Sequence, residues 1–318
     1  MTHFIPLPFP DLASGRPRRC GVEIEFAGLT EAQVVALILN ELGGELGQHS
    51  RHAATVTGTE LGDIRVELDF SLAHDHPSEL LETGIGLARP LIPVEVITEP
   101  LDPAQLPILD ALCAALRREG GEGTGQSMLR GFGVHLNVEA HDPDEAFTRR
   151  TILAFALLEP WLRATLPPDN TRRVLPFVNP WPVGLVDALV ADPDAPFSIQ
   201  CAHYAAHVKT RNHGLDLLPL FKFHAPQAYA RAFPDAFKVA ARPAFHFRLP
   251  DCRLNDADWS LSEAWSMWRA VETLAAAPDL LTTLCSAWTQ HRKQLFGGSR
   301  KWARTVSDLT IPQSREAS

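Results

Sequence analysis

The sequence predicts an α+β fold: a mainly antiparallel sheet of about six strands, one face packed on helices and the other carrying polar groups. Three observations support this. Apolar and polar residues alternate through Gly21–Phe26, Ile64–Leu72 and Phe132–Glu139, and side chains at i and i+2 of a strand share a face. Between such stretches lie longer amphipathic runs bounded by capping residues and glycine, which mark helices. In each strand-like segment the polar face carries acids, imidazoles or cations in place of the Thr, Lys and Ser of an ordinary wet face.

Residues 1–18 read as an irregular arm running into Arg16, Arg18 and Arg19. The first strand, Gly21–Phe26, puts Glu23 and Glu25 side by side, opposite Val22, Ile24 and Phe26. Neighbouring carboxylates repel unless a cation lies between them. A hard divalent ion such as Mg²⁺ or Mn²⁺ takes oxygen ligands and meets that need; a solvated acidic edge is the plainer reading of the hexapeptide alone. Thr30 then caps EAQVVALILNEL, which stops at Gly43-Gly44, a helix. Residues 45–60 carry His49, His52 and turn formers and show no clear period.

Ile64–Leu72 is the most regular strand, with Arg65, Glu67, Asp69 and Ser71 on its polar side. A loop rich in His, Pro and Gly follows to Pro90, then a shorter strand, Ile92–Thr98, in which Glu95 faces away from Val94 and Val96. Asp102-Pro103 opens a helix closed by Gly120-Gly121, and GGEGTGQS reads as a flexible linker. Phe132–Glu139 directs His135, Asn137 and Glu139 one way and Phe132, Val134, Leu136 and Val138 the other. A long helix is expected over Asp142–Leu166, with Pro143 at its first position. From Pro167 to about Gly214 the chain reads as Pro-rich and irregular, and a connection that long is usually functional. Leu220–His224 and Phe245–Leu249 read as two more strands, presenting Lys222 and His224, then His246 and Arg248. Two helices split near Pro278 fill Trp259–Phe296, with Trp259, Trp265 and Trp268 read as packing residues, and residues 298–318 read as a tail.

Composition bounds the function. The chain has 318 residues, 45% hydrophobic and 21% charged, enough for one large domain or two. Its formal net charge of -9 argues against a nucleic-acid surface. No apolar run is long enough to span a bilayer. The opening MTHFIPLPFPDL lacks a basic region followed by an apolar core, so no secretory signal is expected. The five cysteines are scattered and include no CxxC pair, which fits a reducing cytoplasm better than disulfides or a thiolate zinc site.

Carboxylates come from the early strands and cations or imidazoles mostly from the later ones. That division suits a nucleotide triphosphate, with acids holding metal ions and basic groups holding phosphate oxygens. Five motifs occur in one order: GVEIEF, D-x-S in Glu67–Ser71, VEVITEPL at Val94–Leu101, GVHLNV at Gly133–Val138 and FHFRLP at Phe245–Pro250. Together, over about Arg18 to Leu274, they resemble the putative amidoligase family, carboxylate–amine ligases related to glutamine synthetase and glutamate–cysteine ligase.

The resemblance implies a single catalytic domain over residues 19–297. It implies a curved sheet of the glutamine synthetase catalytic type, with helices on its convex face. It also implies ATP- and Mg²⁺- (or Mn²⁺-) dependent amide formation through an acyl phosphate, with small-molecule or peptide acids and amines as substrates. By position, Glu23, Glu25, Glu95, His135 and His246 look like metal ligands. Glu25, Asp69 and Arg248 are the candidate catalytic residues. His135 and Asn137 face phosphate or metal, Arg248 and Lys222 hold phosphate, and Ser71 and Arg211 contact substrate. His246 stands where related enzymes commonly have glutamate. An imidazole can ligate a metal but brings no negative charge; either the second metal site is altered, or Glu67 or Glu139 compensates, or that ion is not needed. Glu67, Glu139 and the Arg172-Arg173 pair otherwise read as solvated groups, the pair alternatively as part of a lid. Two other readings stay open: a metal-dependent hydrolase, which lacks an HExxH-like motif, and a non-catalytic nucleotide- or peptide-binding relative. The oligomeric state is left open.

Overall fold

The computed structural model describes residues 4–50, 52–68, 92–125, 131–141, 145–170, 172, 178–233, 239–294 and 297–310. Asp69, Ser71, Arg173, the loop to Pro90, the end of the GGEGTGQS linker and Asp142-Pro143 lie outside them.

Strand β1 (Cys20–Phe26) lies inside an eight-stranded antiparallel sheet with β2 (Glu45–His49), β3 (Ala53–Thr59), β4 (Gly62–Leu68), β5 (Val94–Thr98), β6 (Val134–Glu139), β7 (Leu215–Asp216) and β8 (Ala244–Phe247). The order is β2-β3-β4-β5-β1-β6-β8-β7. Ile24 faces Val96 on one side and Val134 on the other, and Leu136 faces both Val22 and Phe247. Partners across a ladder share a face. Val22, Ile24, Val66, Val96, Val134, Leu136 and Phe247 therefore form one apolar surface, and all are buried.

Helices cover that surface. Helix α1 (Glu31–Leu42) starts in the expected capping box, with the Thr30 side chain on the Gln33 N–H, and buries Val34, Val35, Ile38 and Leu42 against β3 and β4. It ends at Gly43, whose φ of 69° suits glycine. After a short 3₁₀ turn come α2 (Leu106–Arg118) and the long α3 (Glu145–Thr165), then α4 (Val183–Ala191), α5 (Phe197–His207), α6 (Leu218–His224), α7 (Pro226–Ala232), α8 (Leu261–Ala275) and α9 (Pro278–Arg292). Phe155 of α3 and Trp268 of α8 meet Phe247 edge-on and tilted, at 6.1 and 5.4 Å between ring centroids.

Four sequence expectations are corrected. Among the described residues there are eight strands, not about six: residues 45–59 form β2 and β3, and the two-residue β7 is added. Within the connection expected to be irregular, α4 and α5 form. Leu220–His224 lies within helix α6, not a strand. Pro219 occupies its first turn, Leu218, Pro219, Leu220 and Phe221 are buried consecutively, and Asp216 Oδ1 accepts the Leu218 N–H at 3.0 Å. Short apolar runs do not distinguish strand from helix by period. The expected tail contains α10 (Ser299–Thr310), whose buried Trp302 donates Nε1–H to Leu157 O at 2.8 Å. No helix among the described residues is long and apolar enough to cross a membrane.

Candidate active site

The face opposite the helices is polar because the same register that aligns the valines aligns the acids. Glu25 lies across from Glu95, and Glu95 from Glu67; Glu23 lies across from His135, and Asn137 from His246. Strands β1, β5, β6 and β8 thus bring Glu23, Glu25, Glu95, His135, Asn137 and His246 to one face. Arg248 follows β8 in the same alternation and donates to Arg211 O at 2.9 Å.

His135 is the centre of this arrangement. Its Nδ1 lies 2.8 Å from Glu23 Oε2, and its Nε2 lies 3.4 Å from Glu25 Oε1. Asn137 donates to Glu23 Oε1 at 2.8 Å, and the Gly133 N–H to Glu25 Oε2 at 2.8 Å. His246 Nε2 points at Glu23 Oε2 from 3.7 Å, while its Nδ1 lies 3.5 Å from Oδ2 of the fully buried Asp216. Arg211 Nε donates to the same Asp216 oxygen at 2.8 Å.

Burial alone would raise the pKa of Glu23, but the hydrogen bond from His135 and the nearby His246 ring outweigh it and hold the carboxyl well below its usual range. Asp216 follows the same logic: burial opposes ionisation, yet His246 and Arg211 bring it down to about 2. For His246, burial favours the neutral ring, but Asp216 and Glu23 together raise its pKa.

Among the described residues, two groups have donor atoms close enough to share a cation: Glu25, Glu95 and His135, and Glu23, His135 and His246, with atoms within 4.8 Å of one another in each. The first is rich in carboxylate oxygen, as Mg²⁺ or Mn²⁺ requires. His246 Nε2 and Arg248 Nε are buried here without a hydrogen bond. Buried polar atoms are rarely left so, and these are placed to take a cation and an anion respectively. The residues therefore fit a metal–phosphate ligand.

Beside Glu23 and Asn137 the ends of β1, β5 and β6 open into a cleft of about 620 Å³, rimmed by Arg16, Arg19, Arg242 and Glu139. Arg16 bonds Glu139 at 2.7 Å, and the exposed Arg242 adds a third cation. A hollow beside Asp251 and Trp259, about 30 Å³, has room for little more than water.

Lys222 does not join the cluster: on α6 its Nζ donates to Val239 O at 2.6 Å and lies over the Tyr229 ring. Arg211 is engaged with Asp216. Arg172 is buried rather than solvated, pairing with Asp251 at 2.6 Å and donating to Arg248 O at 2.9 Å. Glu67 pairs with Arg65 and Glu139 with Arg16. Sequence reasoning missed Asp216, which sits in a two-residue strand with no alternation to expose it, and the basic rim, where Arg242 joins Arg16 and Arg19 from a distant part of the chain.

A family model described as "Putative amidoligase enzyme" matches residues 16–270. No curated protein and no solved structure matches the chain.

Proposed function

The chain belongs to the putative amidoligase enzyme family, and from that premise we propose that it is an ATP-dependent ligase joining a carboxylate to an amine. The observation that supports this most is the convergence of Glu23, Glu25, Glu95, His135, His246 and Arg248, from four strands, on one polar face. A hydrolase needs a metal and a water but gives no role to Arg248. A phosphoryl-transfer enzyme needs acids and cations together.

In this reading Glu25 and Glu95, with His135 beside them, hold Mg²⁺ or Mn²⁺, which neutralises charge on the nucleotide phosphates. Arg248 offers its unpartnered Nε–H to a phosphate oxygen. The cleft of about 620 Å³ falls in the range of small-ligand sites, and Arg16, Arg19 and Arg242 suit the substrate acid, an amino acid or short peptide. The acid's oxygen attacks the γ-phosphorus as the bond to ADP breaks. The amine nitrogen then attacks the acyl carbon, phosphate leaves, and the proton lost by the amine passes to a carboxylate of the face or to water. Arg211 supports this through Asp216, and Asp69 and Ser71 are proposed near substrate. A glutamine synthetase-type sheet and a cytoplasmic location belong to the same proposal.

Calorimetry with ATP and Mg²⁺ tests the reading without knowledge of the substrate. Binding is expected to require the metal and to be lost in a Glu25→Gln, Glu95→Gln variant that keeps its circular dichroism. Phosphate release is expected only with both an acid and an amine present, and hydroxylamine should trap a hydroxamate. Metal-independent ATP binding, or unchanged binding in the double variant, overturns the proposal; tight zinc with no ATP affinity transfers the site to a hydrolase.

A further inference from the structure

We infer that the corner formed by Glu23, His135 and His246 is a site for a nitrogen-preferring transition cation of the Zn²⁺ or Co²⁺ class, distinct in chemistry from the oxygen-rich Glu25–Glu95 position. The inference rests on the proposed reading of this face as a metal centre and assigns the kind of ion.

The donor set comes first. Two imidazoles and one carboxylate converge within 4.8 Å. Mg²⁺ demands oxygen ligands and keeps its waters, whereas imidazole suits Zn²⁺, Co²⁺ and their neighbours. With neutral imidazoles, the corner carries one negative charge where a three-carboxylate site would carry three. That lowers its pull on a hard ion without weakening it toward an imidazole-binding one.

The surroundings of each ring come second. A ligating histidine almost always gives its far nitrogen to a carboxylate or carbonyl, which fixes the tautomer and aims the near nitrogen at the metal. Each ring has a carboxylate oxygen within 3.5 Å of its far nitrogen. Asp216 Oδ2 sits 3.5 Å from His246 Nδ1, and Glu25 Oε1 sits 3.4 Å from His135 Nε2. The near nitrogens, His246 Nε2 and His135 Nδ1, both face Glu23 Oε2, at 3.7 and 2.8 Å. Asn137 occupies the other Glu23 oxygen and leaves Oε2 for the corner. Asp216 is held in turn by Arg211 at 2.8 Å and by the Leu218 N–H at 3.0 Å. His246 Nε2 is buried without a hydrogen bond, the state a ligand nitrogen shows before its ion is placed. Asp216 is thus a positioning residue for His246.

The test uses metal-free full-length protein titrated with Co²⁺ in a large excess of Mg²⁺, read by visible d–d absorption and by equilibrium dialysis with elemental analysis. The wild type is expected to keep one Co²⁺ per chain against Mg²⁺. His246→Glu is expected to lose that preference by about 100-fold or more, and Asp216→Asn by about 10–100-fold. Displacement of Co²⁺ by Mg²⁺, failure to take it up, or unchanged Co²⁺ affinity in His246→Glu overturns the inference, as a protonated His246 bridging Asp216 and Glu23 would then explain the geometry. The wild-type competition needs no variant, so it decides even if His246→Glu does not fold. Retained Co²⁺ without ATP–Mg²⁺ binding sinks the ligase reading alone; ATP–Mg²⁺ binding with Co²⁺ displaced sinks this inference alone.

Discussion

His135 separates the two acids of the first strand: Nδ1 lies 2.8 Å from Glu23 Oε2 and Nε2 lies 3.4 Å from Glu25 Oε1. The ring is only 4% exposed, so neither carboxylate can exchange it freely for water. Its removal should therefore act on both candidate cation positions at once. His135→Gln is expected to abolish transition-ion retention and to weaken ATP–Mg²⁺ binding by about tenfold or more. Without metal it should also lower stability by about 1–3 kcal/mol, as a buried acceptor loses its partner. Calorimetry and urea unfolding measure the two effects. Wild-type metal binding in His135→Gln would show that the acids hold cations without the ring.

Gly133 stands where the site allows no side chain. A Cβ there would fall 2.9 Å from Arg172 NH2 and 3.1 Å from His135 Nε2. Arg172 cannot yield, since it is buried and bound to Asp251, Leu249 O, Pro250 O and Arg248 O. Gly133→Ala is expected to cost about 1–3 kcal/mol and to push His135 off Glu25. Metal affinity should fall with it. Gly298→Ala, with nothing within 4 Å of its Cβ, is the control and should be neutral. Equal urea midpoints for the two variants would contradict the crowding.

The sequence made legible what alternation and capping write locally. Glu23, Glu25, Glu95, His135 and His246 were readable because strict alternation runs through their strands, and α1 because Thr30 and Gly43 bound it. The strand β2 (ELGQH) was not, since nearly all of it is exposed and no burial pattern is imposed on it. Leu220–His224 imitates a strand because Lys222 falls between two phenylalanines, but Pro219 and the Asp216 carboxylate start a helix there. Trp302 looked like part of a tail because a short polar helix gains its stability from the α3 surface it covers, which no local pattern announces. Asp216 lies thirty residues from His246 and meets it only through the pairing of β7 with β8.

The cysteines predict an alkaline weak point. Burial pushes the Cys201 thiol up to about 11 and Cys252 up to about 12, and raises Cys20 and Cys113 from the usual 9.0. A raised pKa in the native state means stability that is intact below pH 9 and lost as pH climbs toward the native values, because the unfolded chain releases its protons first. The urea midpoint is expected to fall between pH 8 and pH 10.5, and Cys252→Ala should flatten that fall. At pH 8 a thiol reagent should react slowly with Cys20, Cys113, Cys201 and Cys252 of the native protein and rapidly with all five cysteines in urea. Fast labelling of Cys20 or Cys252 in native buffer would contradict their burial.

The cleft's basic rim depends on an ion pair that no solvent reaches. Arg18 NH1 donates to Glu272 Oε2 at 2.9 Å and NH2 to Oε1 at 2.7 Å, with both side chains fully buried. The same guanidinium bonds Phe9 O and Glu139 O, and Trp268 Nε1 bonds Glu272 Oε1 at 2.9 Å. One group thus fastens the N-terminal arm, the end of β6 and helix α8 together, directly beside Arg16, Arg19 and Glu139 of the cleft. Removing one partner leaves a buried charge uncompensated, which costs about 3–5 kcal/mol, whereas replacing both with apolar residues is often far milder. Glu272→Gln and Arg18→Met should each lower the urea unfolding free energy by that amount, and the Arg18→Met, Glu272→Leu double variant by clearly less than their sum. Because the arm is loosened, binding of an acidic substrate in the cleft should weaken in the single variants even where ATP–Mg²⁺ binding holds. Single variants within 0.5 kcal/mol of wild type would mean that Arg18 finds water, and the arm would then have no part in shaping the rim.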